Sequence, residues 1–196
     1  MSRARAKRLF DVLFAGALLV FFAPLLLLLC LAIRLESSGP ALFRQMRGGL
    51  DGRRFQILKL RTMRCLEDGP VVTQACRDDQ RVTRLGRFLR NTSLDELPQL
   101  INVLRGDMSM IGPRPHALRH DIYYSAQLSN YPQRYRARPG ISGLAQIRGL
   151  RGGTATVSDM NQRVEADLEY IRDWSLCLDF KIAIKTVPSL LDDTAY

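Results

Sequence analysis

The chain has 196 residues, 46% of them hydrophobic, which excludes a disordered protein and leaves room for one compact domain. Its formal charge of +10 calls for anionic partners: nucleic acid, an anionic membrane surface or phosphorylated substrates. Four scattered cysteines, Cys30, Cys65, Cys76 and Cys177, form no CxxC pair, which excludes a disulfide scaffold or metal knuckle and fits reduced thiols facing the cytosol.

Arg3, Arg5, Lys7 and Arg8 lead into residues 12–33, which are 22 residues without a charge. As a straight helix this block would be ~33 Å long, enough to cross a ~30 Å hydrocarbon core. It exceeds a secretory h-region, and no small-x-small cleavage site follows. Pro24 sits at its centre, removes a backbone donor and predicts a kink. Arg34, Arg44, Arg47, Arg53 and Arg54 make the second flank basic as well, and basic flanks prefer the cytoplasmic side. A bent, re-entrant helix that enters and leaves by one face satisfies both flanks. A kinked spanning helix is the alternative, and these residues leave the choice open.

Ser37, Ser38, Gly39 and Pro40 form a turn cluster. It divides the chain into a basic N-terminus with a membrane helix, residues 1–36, and a second unit, residues 37–196. Residues 54–60 alternate polar and apolar side chains, as a half-buried strand does. Residues 67–80 are polar and read as a loop. Residues 82–90 predict a basic amphipathic helix. Residues 95–105 predict a second helix, with Leu97, Leu100, Ile101 and Leu104 on one face and a stop at Gly106. Residues 158–172 put Met160, Val164, Leu168 and Ile171 on one stripe. Residues 174–191 are apolar with Lys181 and Lys185 on the polar side, a pattern suited to core packing or to a membrane interface. Few strands and many helices predict a helix-rich α/β fold.

The densest stretch is residues 90–100, Arg-Asn-Thr-Ser-Leu-Asp-Glu-Leu-Pro-Gln-Leu. Proline is tolerated in a helix's first turn, so Pro98 sets a helix start near Asp95. Asp95 and Glu96 then stand at a helix N-terminus, where carboxylates commonly serve as caps. Their surroundings favour more than capping. Arg87 and Arg90 precede them, and Arg114 follows between Pro113 and Pro115, on a stiff backbone suited to a bidentate phosphate grip. A third cluster, residues 138–149, is a Gly- and Pro-rich turn. His116 and His120 stand four apart without a third ligand in view, which speaks against zinc. There is no GxGxxG, no GxxxxGK[ST] and no GxSxG.

Taken together, these motifs resemble the monotopic phosphoglycosyl transferases, or bacterial sugar transferases, nearly end to end. The resemblance rests on residues 7–11, Gly39-Pro40, residues 43–45, 59–63, 81–86, 92–99, 106–109, 112–115 and 138–149, and on Ala195-Tyr196. Residues 112–116, 150–154, 163–168 and 173–176 look like the undecaprenyl-phosphate hexose-1-phosphate transferases that start exopolysaccharide or capsule assembly. Ala23-Pro24 replaces the usual Ser-Pro, Tyr135 stands where His is frequent, and Gly153 where Glu is frequent.

The resemblance implies that Asp95 is the nucleophile and that Glu96 helps hold Mg²⁺. It implies phosphate or nucleotide contacts at Arg90 and Arg114, with Lys59, Arg61, Gln146 and Arg148 as further candidates. It implies a UDP-sugar donor, an undecaprenyl phosphate acceptor, membrane lipids as partners, and a site on the cytoplasmic face of the bacterial inner membrane. A homodimer is left open. With the family in view, the re-entrant membrane helix, broken at Pro24, becomes the expected geometry. Two other classes compete. One is a basic, membrane-tethered nucleic-acid binder, which the charge fits but no recognition motif supports. The other is an inactive scaffold of a polysaccharide assembly complex, against which the intact Asp95-Glu96 pair speaks.

Overall fold

A computed structural model describes residues 3–64, 79–150, 152 and 156–189. Cys65, Cys76, most of the expected 67–80 loop, Arg151, Gly153 and the terminal Ala195-Tyr196 lie outside the described residues. The fold is helix-rich α/β: α1 Arg3–Glu36, β1 Leu42–Gly48, β2 Arg54–Leu60, α2 Arg84–Asn91, α3 Gln99–Arg105, β3 Ser109–Ile111, α4 Leu118–Gln127, β4 Gly140–Ser142, α5 Leu144–Ile147, α6 Val157–Asp173 and α7 Leu176–Ser189. Strands β1 and β2 form an antiparallel hairpin, with Leu42 opposite Leu60 and Gly48 opposite Arg54. Strands β3 and β4 pair in parallel.

Helix α1 is 34 residues long and runs through Pro24. Among the described residues it is the one helix long and apolar enough to cross a membrane. One of its faces packs along the rest of the protein. Asp11, Ala15, Leu29 and Ile33 are buried there. The other face exposes Leu13, Val20, Phe21, Leu27, Leu28, Leu31 and Leu35. Ala15 shares a core with Leu100, Val103, Met108 and Ile182. Leu29 and Ile33 share a second core with Leu60 and Leu89. Both ends of α1 therefore rest on the same folded body, and the core runs across the Ser37–Pro40 turn.

The basic N-terminal flank does more than face a membrane. Lys7 pairs with the buried Asp179 of α7 at 2.7 Å and donates to the Ile111 carbonyl at 3.1 Å. Arg8 donates to the carbonyls of Val103 and Leu104 at 2.5 and 2.8 Å, filling acceptors at the end of α3. Asp11 accepts from the Ser109 hydroxyl and the Met110 N–H, both at 2.9 Å. These bonds join α1 to β3 and α7 with charges taken out of water.

The expected strand at residues 54–60 is β2. The basic helix is α2, capped by Thr83, whose hydroxyl accepts from Gly86 N–H. The third expected helix is α6, which opens with a reciprocal capping box between Thr156 and Asp159. Met160 and Val164 of its predicted stripe are buried. Helix α7 buries Ile182 but exposes Leu176, Phe180 and Ile184 beside Lys181 and Lys185, so its outer face is apolar as well as basic. One boundary differs from expectation. Asp95 does not begin a helix; residues Leu94–Glu96 form a 3₁₀ turn, and α3 starts at Gln99 with Pro98 as its cap. Proline's lost N–H is tolerated at that cap as it is in the first turn, so Pro98 locates the helix without fixing its first residue.

Candidate active site

The site is assembled on three supports. Helix α2 lies hard against the segment after β2, because Gly86 has no side chain: a methyl there would overlap the Thr62 carbonyl. From α2 the chain turns through Ser93 in a left-handed conformation, φ 54°, an uncommon one for a residue with a side chain. The 3₁₀ turn that follows carries Asp95 and Glu96. Arg114 comes from the loop after β3, where Gly112 packs so closely on the 138–140 backbone that a side chain would collide. Lys59 comes from β2.

Lys59 Nζ lies 2.7 Å from Glu96 and 3.9 Å from Asp95. Arg114 grips Glu96 with two bonds, 2.5 and 3.2 Å. Glu96 is thus saturated by cations. Burial alone would raise its carboxyl, but Arg114 and Lys59 outweigh that and hold it well below the usual range. Asp95 is different. Among the described residues neither the 3₁₀ turn nor α3 has a side-chain cap at its start, and the ion-pair partner of Asp95 is Lys59. Burial pushes its carboxyl up to about 6; Lys59 opposes this and the Glu96 charge adds to it. Adjacent carboxylates with opposed pKa directions are a mark of divided chemical labour. Arg90, in the last turn of α2, acts on Asp95 through its charge.

The remaining candidates lie elsewhere. Arg61 is turned to the end of α1, where it donates to the carbonyls of Ser37, Ser38 and Ile33. That position anchors the long helix and leaves the carboxylate pair to Lys59. Gln146 is buried and donates to the Ile141 carbonyl at 2.9 Å. Arg148 pairs with the exposed Glu169 of α6 at 2.5 Å. Neither is brought to Asp95 or Glu96 by a bond among the described residues.

A second, buried network underlies Arg114. Arg134 pairs with Asp167 at 2.8 Å, with both side chains almost fully enclosed. It also donates to the Arg114 carbonyl at 2.6 Å and lies 3.0 Å from His116 Nδ1. Tyr131 bridges His116 and Asp121, 2.7 Å from each. The sequence put Arg163 and Asp167 in a family-like motif and Arg47 in a basic flank, but gave none of these, nor Arg134, a place at the site, because one arginine among 29 Lys and Arg residues looks like an ordinary surface charge. A local signal was placement: Arg163 and Asp167 stand four apart on the buried side of an amphipathic helix.

Among the described residues no three His, Cys, Asp or Glu side chains converge as a metal cluster. Mg²⁺ needs no such cluster, since it is commonly held by one or two carboxylates together with substrate phosphates. Asp95 and Glu96 fit that donor set. Because both Glu96 oxygens already face cations, a metal would share them with Lys59 and Arg114 or displace one of the two.

A family model described as bacterial sugar transferase matches residues 2–193. The chain is 66% identical to a UDP-glucose:undecaprenyl-phosphate glucose-1-phosphate transferase of Caulobacter vibrioides, over 97% of this chain and 72% of that protein. It is 50% identical to a protein of the same name from Escherichia coli, over 92% of this chain and 39% of that protein. It is 43% identical to the exopolysaccharide production protein PSS of Rhizobium leguminosarum bv. phaseoli, over 94% of each.

Proposed function

Since this chain belongs to the bacterial sugar transferase family, we propose that it transfers a hexose 1-phosphate, with glucose the first sugar to test, from a UDP-sugar to undecaprenyl phosphate. The observation that carries the reading is the Asp95-Glu96 pair, one carboxylate saturated by cations and the other left reactive, beside an arginine on a fixed loop. The relatives' names supply the donor, the acceptor and glucose; exopolysaccharide initiation is the process to which they point.

In this mechanism an Asp95 oxygen attacks the sugar-bearing phosphorus. The bond from that phosphorus to the UMP oxygen breaks, and UMP leaves. The phosphosugar stays on Asp95 as an acyl phosphate. A phosphate oxygen of the polyprenyl acceptor then attacks the same phosphorus, and the Asp95 carboxylate is regenerated. Bound at Glu96, Mg²⁺ would neutralise charge on the transferring phosphoryl group. Lys59 and Arg114 orient Glu96 and offset the remaining negative charge, which is most of what phosphoryl transfer demands.

Donor and Mg²⁺ without acceptor should leave a hexose phosphate on the protein. Intact mass should reveal it, peptide mapping should assign it to Asp95, and undecaprenyl phosphate should discharge it. Initial rates should give parallel double-reciprocal lines. Intersecting lines with no adduct after rapid acid quench would replace this scheme with direct transfer. UMP release across a panel of UDP-sugars identifies the hexose.

The membrane reading is a re-entrant α1 with its catalytic body on the cytoplasmic face of the inner membrane. It is supported by the apolar outer face of α1, by the packing of both its ends on one body, and by the apolar, lysine-bearing face of α7. Cysteines placed at Ala4 and Ser38, in a background without native thiols, should both resist an impermeant periplasmic label. Pro24→Leu should straighten the helix and expose the Ala4 site. Labelling of Ala4 in the parent would establish a spanning helix instead.

A further inference from the structure

We propose that Asn102, buried on α3, is a positioning residue that sets Lys59 against the carboxylate pair. The proposal rests on the transferase reading above and adds to it the residue that joins the two halves of the site. Those halves come from different elements. Lys59 is on β2, whereas Asp95 and Glu96 are on the turn just before α3. The 2.7 Å reach from Lys59 to Glu96 and the 3.9 Å reach to Asp95 therefore depend on how β2 lies against α3.

In the two-stranded sheet of the described residues, β2 pairs with β1 alone. Buried backbone groups on its other edge still need partners. Asn102 supplies them. Its side-chain amide accepts from the Leu58 N–H at 3.0 Å and donates to the Gln56 carbonyl at 2.8 Å. A side-chain amide offers the same donor and acceptor as a peptide unit, so Asn102 does there what a further strand would do. Leu58 immediately precedes Lys59, so the hold is one residue from the lysine. Asn102 is 0% exposed, and its second N–H points to Asp107 at 3.2 Å. That bond selects one amide orientation. Turned over, the amide oxygen would face the Gln56 carbonyl and the Asp107 carboxylate with no donor between them. The Asn102 carbonyl accepts from the N–H groups of Gly106, Asp107 and Met108 at 3.1, 3.1 and 3.3 Å, which keeps Asp107 at hand.

Phe55 and Ile57 share a core with Leu100 and Val103, and this burial brings β2 and α3 together. Apolar burial has no direction, however, and does not by itself fix where β2 stands along α3. The bonds from Asn102 do. Without the amide, the Leu58 N–H and the Gln56 carbonyl are left unpaired in the interior, and β2 must shift or open to find partners. Lys59 moves with the strand, and the charge that holds Glu96 and faces Asp95 is misplaced.

The test uses the full chain in nanodiscs, with Asn102→Ala and Asp107→Ala beside wild type. One readout is UMP release at varied UDP-glucose. The other is the acylation rate of each lysine with a water-soluble N-hydroxysuccinimide ester, resolved by peptide mass. Asn102→Ala should lower kcat by about tenfold to a hundredfold and change the donor KM less. Acylation of Lys59, measured against the exposed Lys181, should rise at least about threefold as its pairing with Glu96 opens. Lys7, paired with the buried Asp179, should keep its wild-type rate. Asp107→Ala should move both readouts the same way by less, and it decides the question alone if Asn102→Ala does not fold. Lost activity with Lys59 labelling unchanged overturns the proposal, and so does full activity with Lys59 displaced. A rise at Lys59 matched at Lys7 also overturns it, because that marks a loosened fold. Selective exposure of Lys59 in a protein that releases no UMP from any UDP-sugar sustains the positioning role and rejects the transferase reading alone.

Discussion

Asp95→Asn should lower turnover by roughly 10⁴-fold or more and leave the protein folded. An amide occupies the same volume but cannot form the acyl phosphate. The turn should survive, because among the described residues neither it nor α3 is capped by a side chain and the cation paired with Asp95 is 3.9 Å away. Stability should move the other way from activity. Burial raises the Asp95 carboxyl to about 6, so the folded protein holds that proton more tightly than the unfolded chain does. Ionisation above that pH therefore costs the wild type stability that the neutral asparagine keeps. The variant's Tm at pH 8 should match or exceed the wild type's. The gap should close as pH falls toward ~4, where the unfolded carboxyl also protonates. Thermal scans at several pH values and a UMP-release assay check both halves. Activity within tenfold of wild type would remove Asp95 from the mechanism.

Asp167→Ala should be the most destabilising single change at the site. Asp167 and Arg134 have side chains 1% and 3% exposed, and removing one partner leaves the other charge stranded in the interior. Such losses run to about 3–5 kcal/mol, or roughly 6–20 °C in Tm for a chain of this size. The consequence reaches the chemistry through one guanidinium. Arg134 holds the Arg114 carbonyl at 2.6 Å, and Arg114 holds Glu96. The double variant Arg134→Met, Asp167→Leu replaces the pair with apolar groups and should recover much of the stability. It should not recover activity, because the grip on the Arg114 carbonyl is gone. Full activity in a stable double variant would show that Arg134 has no positioning role.

Contiguous residues encode the local elements of this chain. A charge-free run of 22 residues made the long helix, alternation made β2, and the Asp95-Glu96 and Pro113-Arg114-Pro115 motifs marked the chemistry. These signals are local, since periodicity and backbone restriction act within a few residues. Tertiary structure decided the partners. Lys59 meets Glu96 across 37 positions and Arg114 meets it across 18. Arg61, two residues from Lys59, instead ties down the end of α1. Strand alternation placed Lys59 and Arg61 alike, and only the packing of α1 and α2 against β2 separated them. The same holds for Lys7, Arg47, Arg134 and Arg163. A charged side chain's role depends on whether water or another chain segment surrounds it, and desolvation is a property of the folded whole.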